Sequence, residues 1–196
     1  MHDMDPFKII NKCITPGSSA FDILIEHSSM VMAKALAVAE NVWHLSPDLM
    51  FIREAAMLHD IGIVFVNAPH LGCYGDRPYI CHGYLGRELL EKEGYPRHAL
   101  VCERHVGIGI GIADIDTLNL PLPRRDMRPM TIEEKIICYA DKFYSKKIGW
   151  LHHEKSREET RGELEKFGTA KLEAFDDLDR LFSKRFSPER GLRLEL

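Results

Sequence analysis

The feature that most constrains this chain is a long helical stripe with a histidine set into it. From Ser18 or Ser19, either of which can cap a helix, to about Val42, the residues Ala20, Leu24, His27, Val31, Ala35 and Val38 recur at three- and four-residue steps. That is the period of one helix face packed on a core. His27 therefore belongs to the buried stripe, and its ring nitrogens need partners there. Taken singly, it reads as a core histidine bonded to a backbone carbonyl. The same argument applies further on, where Thr131 with Glu134 forms a capping box for a helix to about Leu151. Ile137, Asp141, Tyr144 and Ile148 share its apolar stripe. An unpaired carboxylate is too costly to bury, so Asp141 asks for a cation, an arginine or a metal.

Between these two helices lie the other candidates. Ser46-Pro47-Asp48 reads as a helix start, with Ser46 as the cap and proline at the first helical position. The helix runs through Ile52, Ala55, Ala56 and His59 on one face and stops at Gly62. His59 and Asp60 are adjacent at its end, and both can point at one site only where helix gives way to turn. Residues 63–80, with Pro69, Gly72, Gly75 and Pro78, are predicted to form an irregular connection across that site. A helix from about Cys81 to Glu93 begins almost at His82, and another from Pro96 ends at His105 and Val106. The stretch 107–129, rich in glycine and proline, reads as a long loop, or as a lid whose Arg124, Arg125 and Arg128 contact a phosphate. Its Gly-x-Gly-x-Gly run follows no strand, so it is not a dinucleotide-binding turn. A short first helix with an apolar Phe7-Ile9-Ile10 patch is expected to break at Thr15-Pro16-Gly17.

Composition narrows the function classes. With 196 residues and 45 % hydrophobic content, the chain suits one domain, 1–196, with its core over about 20–150. The charged segment beyond about 155 carries two amphipathic helices, to about 183, that close the bundle or form an oligomer surface, which leaves a homodimer open. His152-His153 are expected on the surface, and His2, His44, His70 and His98 have no informative context. A net charge of −4 provides no basic field for a nucleic acid polymer. Five cysteines without C-x-x-C spacing suggest neither a disulfide framework nor secretion, so a cytoplasmic location is expected. No apolar run reaches the roughly 18 to 20 residues of a membrane span.

In order, the candidates are His27, His59-Asp60, His82, His105 and Asp141. Four imidazoles and two carboxylates exceed what one tetrahedral zinc needs and suit a pair of first-row cations. The order and spacing resemble the HD superfamily of all-helical, metal-dependent phosphohydrolases, and within it the members with two additional histidines. Leu58-His59-Asp60-Ile61-Gly62, Glu103-Arg104-His105-Val106-Gly107, Ile132-Glu133-Glu134-Lys135-Ile136 and Tyr139-Ala140-Asp141-Lys142 look like the small stand-alone HDIG proteins. The resemblance covers about residues 20–150. It implies an all-α helical bundle in which His27, His59, Asp60 and Asp141 are the core metal ligands and His82 and His105 complete a second position. It also implies that Asp60 bridges as the catalytic carboxylate. The cofactor would be one or two divalent ions, Fe, Mn, Ni or Zn, and the reaction hydrolysis of a small phosphate ester, possibly of a nucleotide, by metal-activated water. Ile63 stands where some relatives carry a glutamate for nucleoside monophosphates and others a lysine for cyclic dinucleotides, so neither substrate is assigned. Two alternatives stand beside the hydrolase: a mixed-valent di-iron oxygenase with the same ligand order, and a noncatalytic regulator that binds metal or nucleotide.

Overall fold

The computed structural model describes residues 4–183, so His2 lies outside the described residues. The fold is all-α. Its helices are α1 (Pro6–Cys13), α2 (Ser19–Asn41), α3 (Leu49–Leu58), α4 (His82–Lys92), α5 (Pro96–Arg104), α6 (Ile112–Leu118), α7 (Ile132–Asp141), α8 (Arg157–Glu165) and α9 (Thr169–Ser183). The only sheet among the described residues is a two-residue antiparallel pair, β1 (Asn67–Ala68) with β2 (Cys73–Tyr74).

Two large apolar clusters and a small one of Val106, Ile110, Ile115 and Met127 make the core, and several elements feed both large ones. In α2, Ala20, Ile23 and Leu24 join one cluster and Val31, Ala35 and Val38 the other. In α3, Phe51, Ile52, Ala55 and Ala56 join the second, whereas Leu58 and the following Ile61 join the first. His27 and the His59-Asp60 pair fall at the change-over in each case. The polar residues thus lie along the seam between the clusters, where they interrupt neither.

Local chemistry sets the boundaries. The Ser18 hydroxyl caps α2 by accepting the Phe21 N–H at 3.2 Å, as expected. For α3 the cap is Asp48, which accepts the Phe51 N–H at 3.0 Å, and not Ser46. Ser46 is left-handed, with φ 52°, at the end of the 3-10 turn Trp43–Leu45, a conformation that excludes it from the capping role. Gly62 does not stop the chain either. It lies inside a 3-10 segment, Ile61–Phe65, and a Cβ on it would stand 2.0 Å from the His82 carbonyl oxygen. Its lack of a side chain lets this segment press against the start of α4.

Two further expectations are corrected. The stretch 107–129 contains α6, a helix too short, with only Ile115 buried, to show a period. The helix expected to reach Leu151 ends at Asp141. Thr131 does accept the Glu134 N–H at 3.2 Å, but the Glu134 carboxylate turns to the Met130 N–H and to Arg104. Beyond Tyr144 the stripe has nothing to bury against, and Ile148 is 67 % exposed. The chain instead turns back, with the Lys155 N–H on the Phe143 carbonyl at 2.9 Å.

Candidate metal centre

Six side chains from five segments converge at the seam. His27 projects from the middle of α2, while His59 and Asp60 follow the last turn of α3. His82 opens α4, His105 caps α5, and Asp141 closes α7. All six are buried. The tightening from α-helix to 3-10 turn at residues 59–61 lets two sequence neighbours face one point, with His59 Nε2 3.1 Å from Asp60 Oδ2.

The donors form two groups joined by Asp60. Oδ2 of Asp60 faces His59 and, at 3.3 Å, His27 Nε2. Oδ1 faces His82 Nε2 and His105 Nε2, each at 3.3 Å. Asp141 Oδ1 closes the first group, 3.0 Å from His27 Nε2 and 3.4 Å from His59 Nε2. Separations of this size are the edges of a coordination shell whose bonds are about 2.0 to 2.2 Å long.

The backbone selects which nitrogen of each ring points inward. Nδ1 of His59, His82 and His105 donates to the carbonyl three residues earlier, on Ala56, Tyr79 and Cys102, at 2.7, 2.7 and 2.8 Å. With a proton held there, Nε2 of each ring faces the centre and offers a lone pair whenever the ring is neutral. Burial pushes His82 down to about 3 and lowers His105, which favours the neutral form of both rings. Yet their Nε2 atoms lie 3.2 Å apart, lone pair against lone pair, beside a carboxylate oxygen. His59 Nε2 and both Asp60 oxygens are buried, and none has a hydrogen-bond partner of good geometry. Such a set is stable only around a positive charge.

Two lysines supply part of it. Lys146 Nζ lies 2.6 Å from Asp60 Oδ2, and Lys142 Nζ 2.6 Å from Asp141 Oδ2. Burial alone would raise both carboxyls, but His59 and Lys146 around Asp60, and Lys142 and His27 around Asp141, hold them well below the usual carboxylate range. Burial pulls His59 down, and the two carboxylates outweigh it, to about 9. The ammonium role of Lys142 and Lys146 was not read from the sequence, where they sit among other lysines of a polar run.

A cavity of about 660 Å³ opens on the centre at Asp141, Lys142 and Lys146. Its far wall is Thr160, Glu163 and Leu164 of α8, with Phe167, so a helix expected to close the bundle or form an oligomer surface also shapes the cleft. Of the residues around the expected connection and lid, His70, Leu71, Tyr79 and Gly107 line it. The three lid arginines do not. Arg124 pairs with Asp116, Arg125 with buried Glu103, and Arg128 with Asp126, so acidic neighbours already hold their charge. His98, buried, bonds Glu54 at 3.1 Å, and His152 and His153 are exposed.

A family model for the HD domain matches residues 24–145. The chain belongs to the HD-domain family. HD domains bind divalent metals, and both donor groups of this one can hold a metal ion. An uncharacterized protein of Methanocaldococcus jannaschii is 30 % identical to this HD domain over 81 % of the chain and 78 % of its own length. Two proteins named tRNA (cytidine(56)-2'-O)-methyltransferase, from Thermoplasma volcanium and Picrophilus torridus, are each 32 % identical over 64 % and 67 % of the chain. The matches span only 33 % and 34 % of those two proteins. No solved structure gives a significant match. No helix among the described residues is long and apolar enough to cross a membrane.

Proposed function

We propose that this HD domain is a metal-dependent phosphohydrolase acting on a small phosphorylated substrate. His27, His59, Asp60 and Asp141 would hold one divalent cation, and Asp60, through its other oxygen, would join His82 and His105 around a second. The observation that carries the reading is the pair of imidazoles whose Nε2 atoms face each other at 3.2 Å beside Asp60. Imidazole and carboxylate donors in this number suit Fe, Mn, Ni or Zn.

A divalent ion supplies, when bound, a water whose pKa is lowered from about 15.7 towards 7. The chain's own residues do the rest. Lys142 and Lys146 stand between the donors and the open cavity, where their ammonium groups can draw a phosphate to the centre and hold its nonbridging oxygens. The backbone carbonyls behind His59, His82 and His105 keep the rings oriented. The buried donors exclude bulk water from the inner end of the cleft. These lysines match the anionic substrate that the hydrolase reading requires.

The test counts iron, manganese, nickel and zinc per chain in protein purified without chelator or affinity-column metal, then assays phosphate release under nitrogen beside oxygen uptake in air. Phosphate release without oxygen is expected. Oxygen consumption with iron and no phosphate release would transfer the site to the oxygenase class. Asp60→Ala should lose bound metal and activity while keeping most helical circular dichroism. Undiminished metal in that variant refutes the ligand assignment.

A further inference from the structure

The two donor groups are unequal. The first has four ligands, His27, His59, Asp60 and Asp141, whereas the second has three, Asp60, His82 and His105. Two of those three come from neighbouring helices, His82 from the start of α4 and His105 from the end of α5. Metal bonds tolerate displacements of only about 0.2 Å, so a slide of α4 along α5 would undo the second position before the first. Whatever sets the register of these two helices therefore decides whether a second ion is held.

Close packing alone does not set it. A Cβ on Gly83 would lie 2.9 Å from the Cys102 carbonyl oxygen and 3.3 Å from that of Glu103, and one on Gly86 would lie 3.2 Å from Cys102 Cβ. These glycines let α4 and α5 approach, yet a contact face without side chains has no ridge to lock into a groove. A charged contact supplies the lock. The Glu103 carboxylate of α5 is fully buried, and each of its oxygens holds one arginine, Arg87 Nη1 of α4 at 2.6 Å and Arg125 Nε at 2.7 Å. Glu91, one turn along α4, orients the same guanidinium by accepting from Arg87 Nε at 2.7 Å. Among the described residues no other ion pair joins α4 to α5. A buried carboxylate cannot slip from its partners without a large desolvation cost, so the Glu103–Arg87 pair acts as a stiff strut.

The strut ends beside the donors. The carbonyl that holds His105 Nδ1, at 2.8 Å, belongs to Cys102 and lies in the peptide bond that joins Cys102 to Glu103. Peptide planarity makes that carbonyl and the Glu103 backbone move together. From this geometry we infer that Glu103 is the positioning residue of the second metal position, acting on His105 through the Cys102 carbonyl and on His82 through Arg87 and α4. The inference rests on the reading of His82 and His105 as ligands of a second cation. The neighbouring Arg104 has a different reach, since it bonds both carboxylate oxygens of Glu134 at 2.9 Å and so joins α5 to the helix that carries Asp141.

The test titrates cobalt(II) into the metal-free protein and follows its visible absorption and the heat of binding. His105→Ala marks the binding phase that belongs to the second position. In Glu103→Gln, which keeps the shape and removes the charge, that phase should weaken about 10- to 100-fold, the scale of losing an orienting partner behind a ligand. The other phase should be unchanged. Arg87→Met leaves Glu103 charged and held by Arg125, and should weaken the same phase; should Glu103→Gln fail to fold, this variant decides. Phe175→Ala destabilises the fold through the Tyr139 stack and should move neither phase, which separates positioning from general loosening. A second phase unchanged in Glu103→Gln or in Arg87→Met, both phases weakened alike, or the same loss in Phe175→Ala would each overturn the inference. The underlying reading fails separately, in the wild-type protein. A titration with no phase sensitive to His105→Ala would show that His82 and His105 hold no second ion, and the inference would fall with it.

Discussion

Replacing Gly62 by alanine tests whether the close approach of two backbones is what positions His82. The added Cβ would lie 2.0 Å from the His82 carbonyl oxygen and 2.5 Å from the Gly86 nitrogen. Non-bonded heavy atoms settle at roughly 3.5 Å or more, so the 3-10 segment and α4 must separate by about 1 Å or more. Both collisions are with backbone, which cannot rotate away, and this places the cost at the upper end of the overpacking range of about 1–3 kcal/mol. For a chain of this size that lowers Tm by roughly 6–12 °C, at about 2–4 °C per kcal/mol. The second consequence is functional. His82 is the first residue of α4 and must travel with it, whereas metal bonds tolerate displacements of only about 0.2 Å. Metal held by His82 and His105 should therefore be lost before metal held by His27, His59 and Asp141. Gly162→Ala is the control, since nothing lies within 4 Å of a Cβ there; inside α8 it should stabilise by about 0.5–1 kcal/mol. Calorimetric melting of both variants, with metal counted per chain, checks the argument. A Gly62→Ala protein that melts with wild type and keeps full metal would refute it.

Other expectations follow from the same geometry. Lys146→Met removes the ammonium from Asp60 Oδ2 and should destabilise the metal-free protein by about 3 kcal/mol while tightening metal binding at least several-fold, as calorimetry of each form would show. Weaker metal binding in that variant would mean that Lys146 does not compete for the carboxylate. Phe175→Ala opens a void where the ring stacks on Tyr139 with centroids 5.5 Å apart. It should cost about 3–5 kcal/mol in denaturant titrations and leave metal content unchanged. Arg124→Ala should leave both Tm and KM at their wild-type values, because its guanidinium is spent on Asp116 at the surface. A large rise in KM would reinstate the segment 107–129 as a lid.

The site was legible in the sequence wherever a polar residue interrupted an apolar stripe. His27 and Asp141 were visible for that reason, and His59, His82 and His105 because each falls where one helical period stops or starts. What escaped depends on contacts between segments distant in sequence. No local pattern says that Gly62 is small because α4 presses on it, or that α7 must end because Ile148 finds no core. Lys142 and Lys146 look like solvated lysines until Asp60 and Asp141 are placed beside them. The outer wall of the cleft was missed for a related reason: in α8 only Thr160 and Leu164 are buried, so its pattern resembles that of a surface helix, and a residue exposed to a cleft reads the same as one exposed to solvent.

The convergence of helix ends explains why cations gather here. The carboxyl ends of α3, α5 and α7 all terminate at the centre, with His59, His105 and Asp141 at or next to the last turn. Each such end carries roughly half a negative charge from its unpaired carbonyls. Only α4 presents its amino end, through His82. The backbone therefore adds negative potential to that of Asp60 and Asp141, in surroundings too dry to screen it. His59, raised to about 9, and the two lysines register that potential, since each gains from being charged at this point. A divalent ion would answer the same potential with twice the charge of one ammonium and nearer the donors. Metal and lysine are thus alternative counter-charges for one negative centre, and on this account added metal should restore most of the stability that Lys146→Met removes.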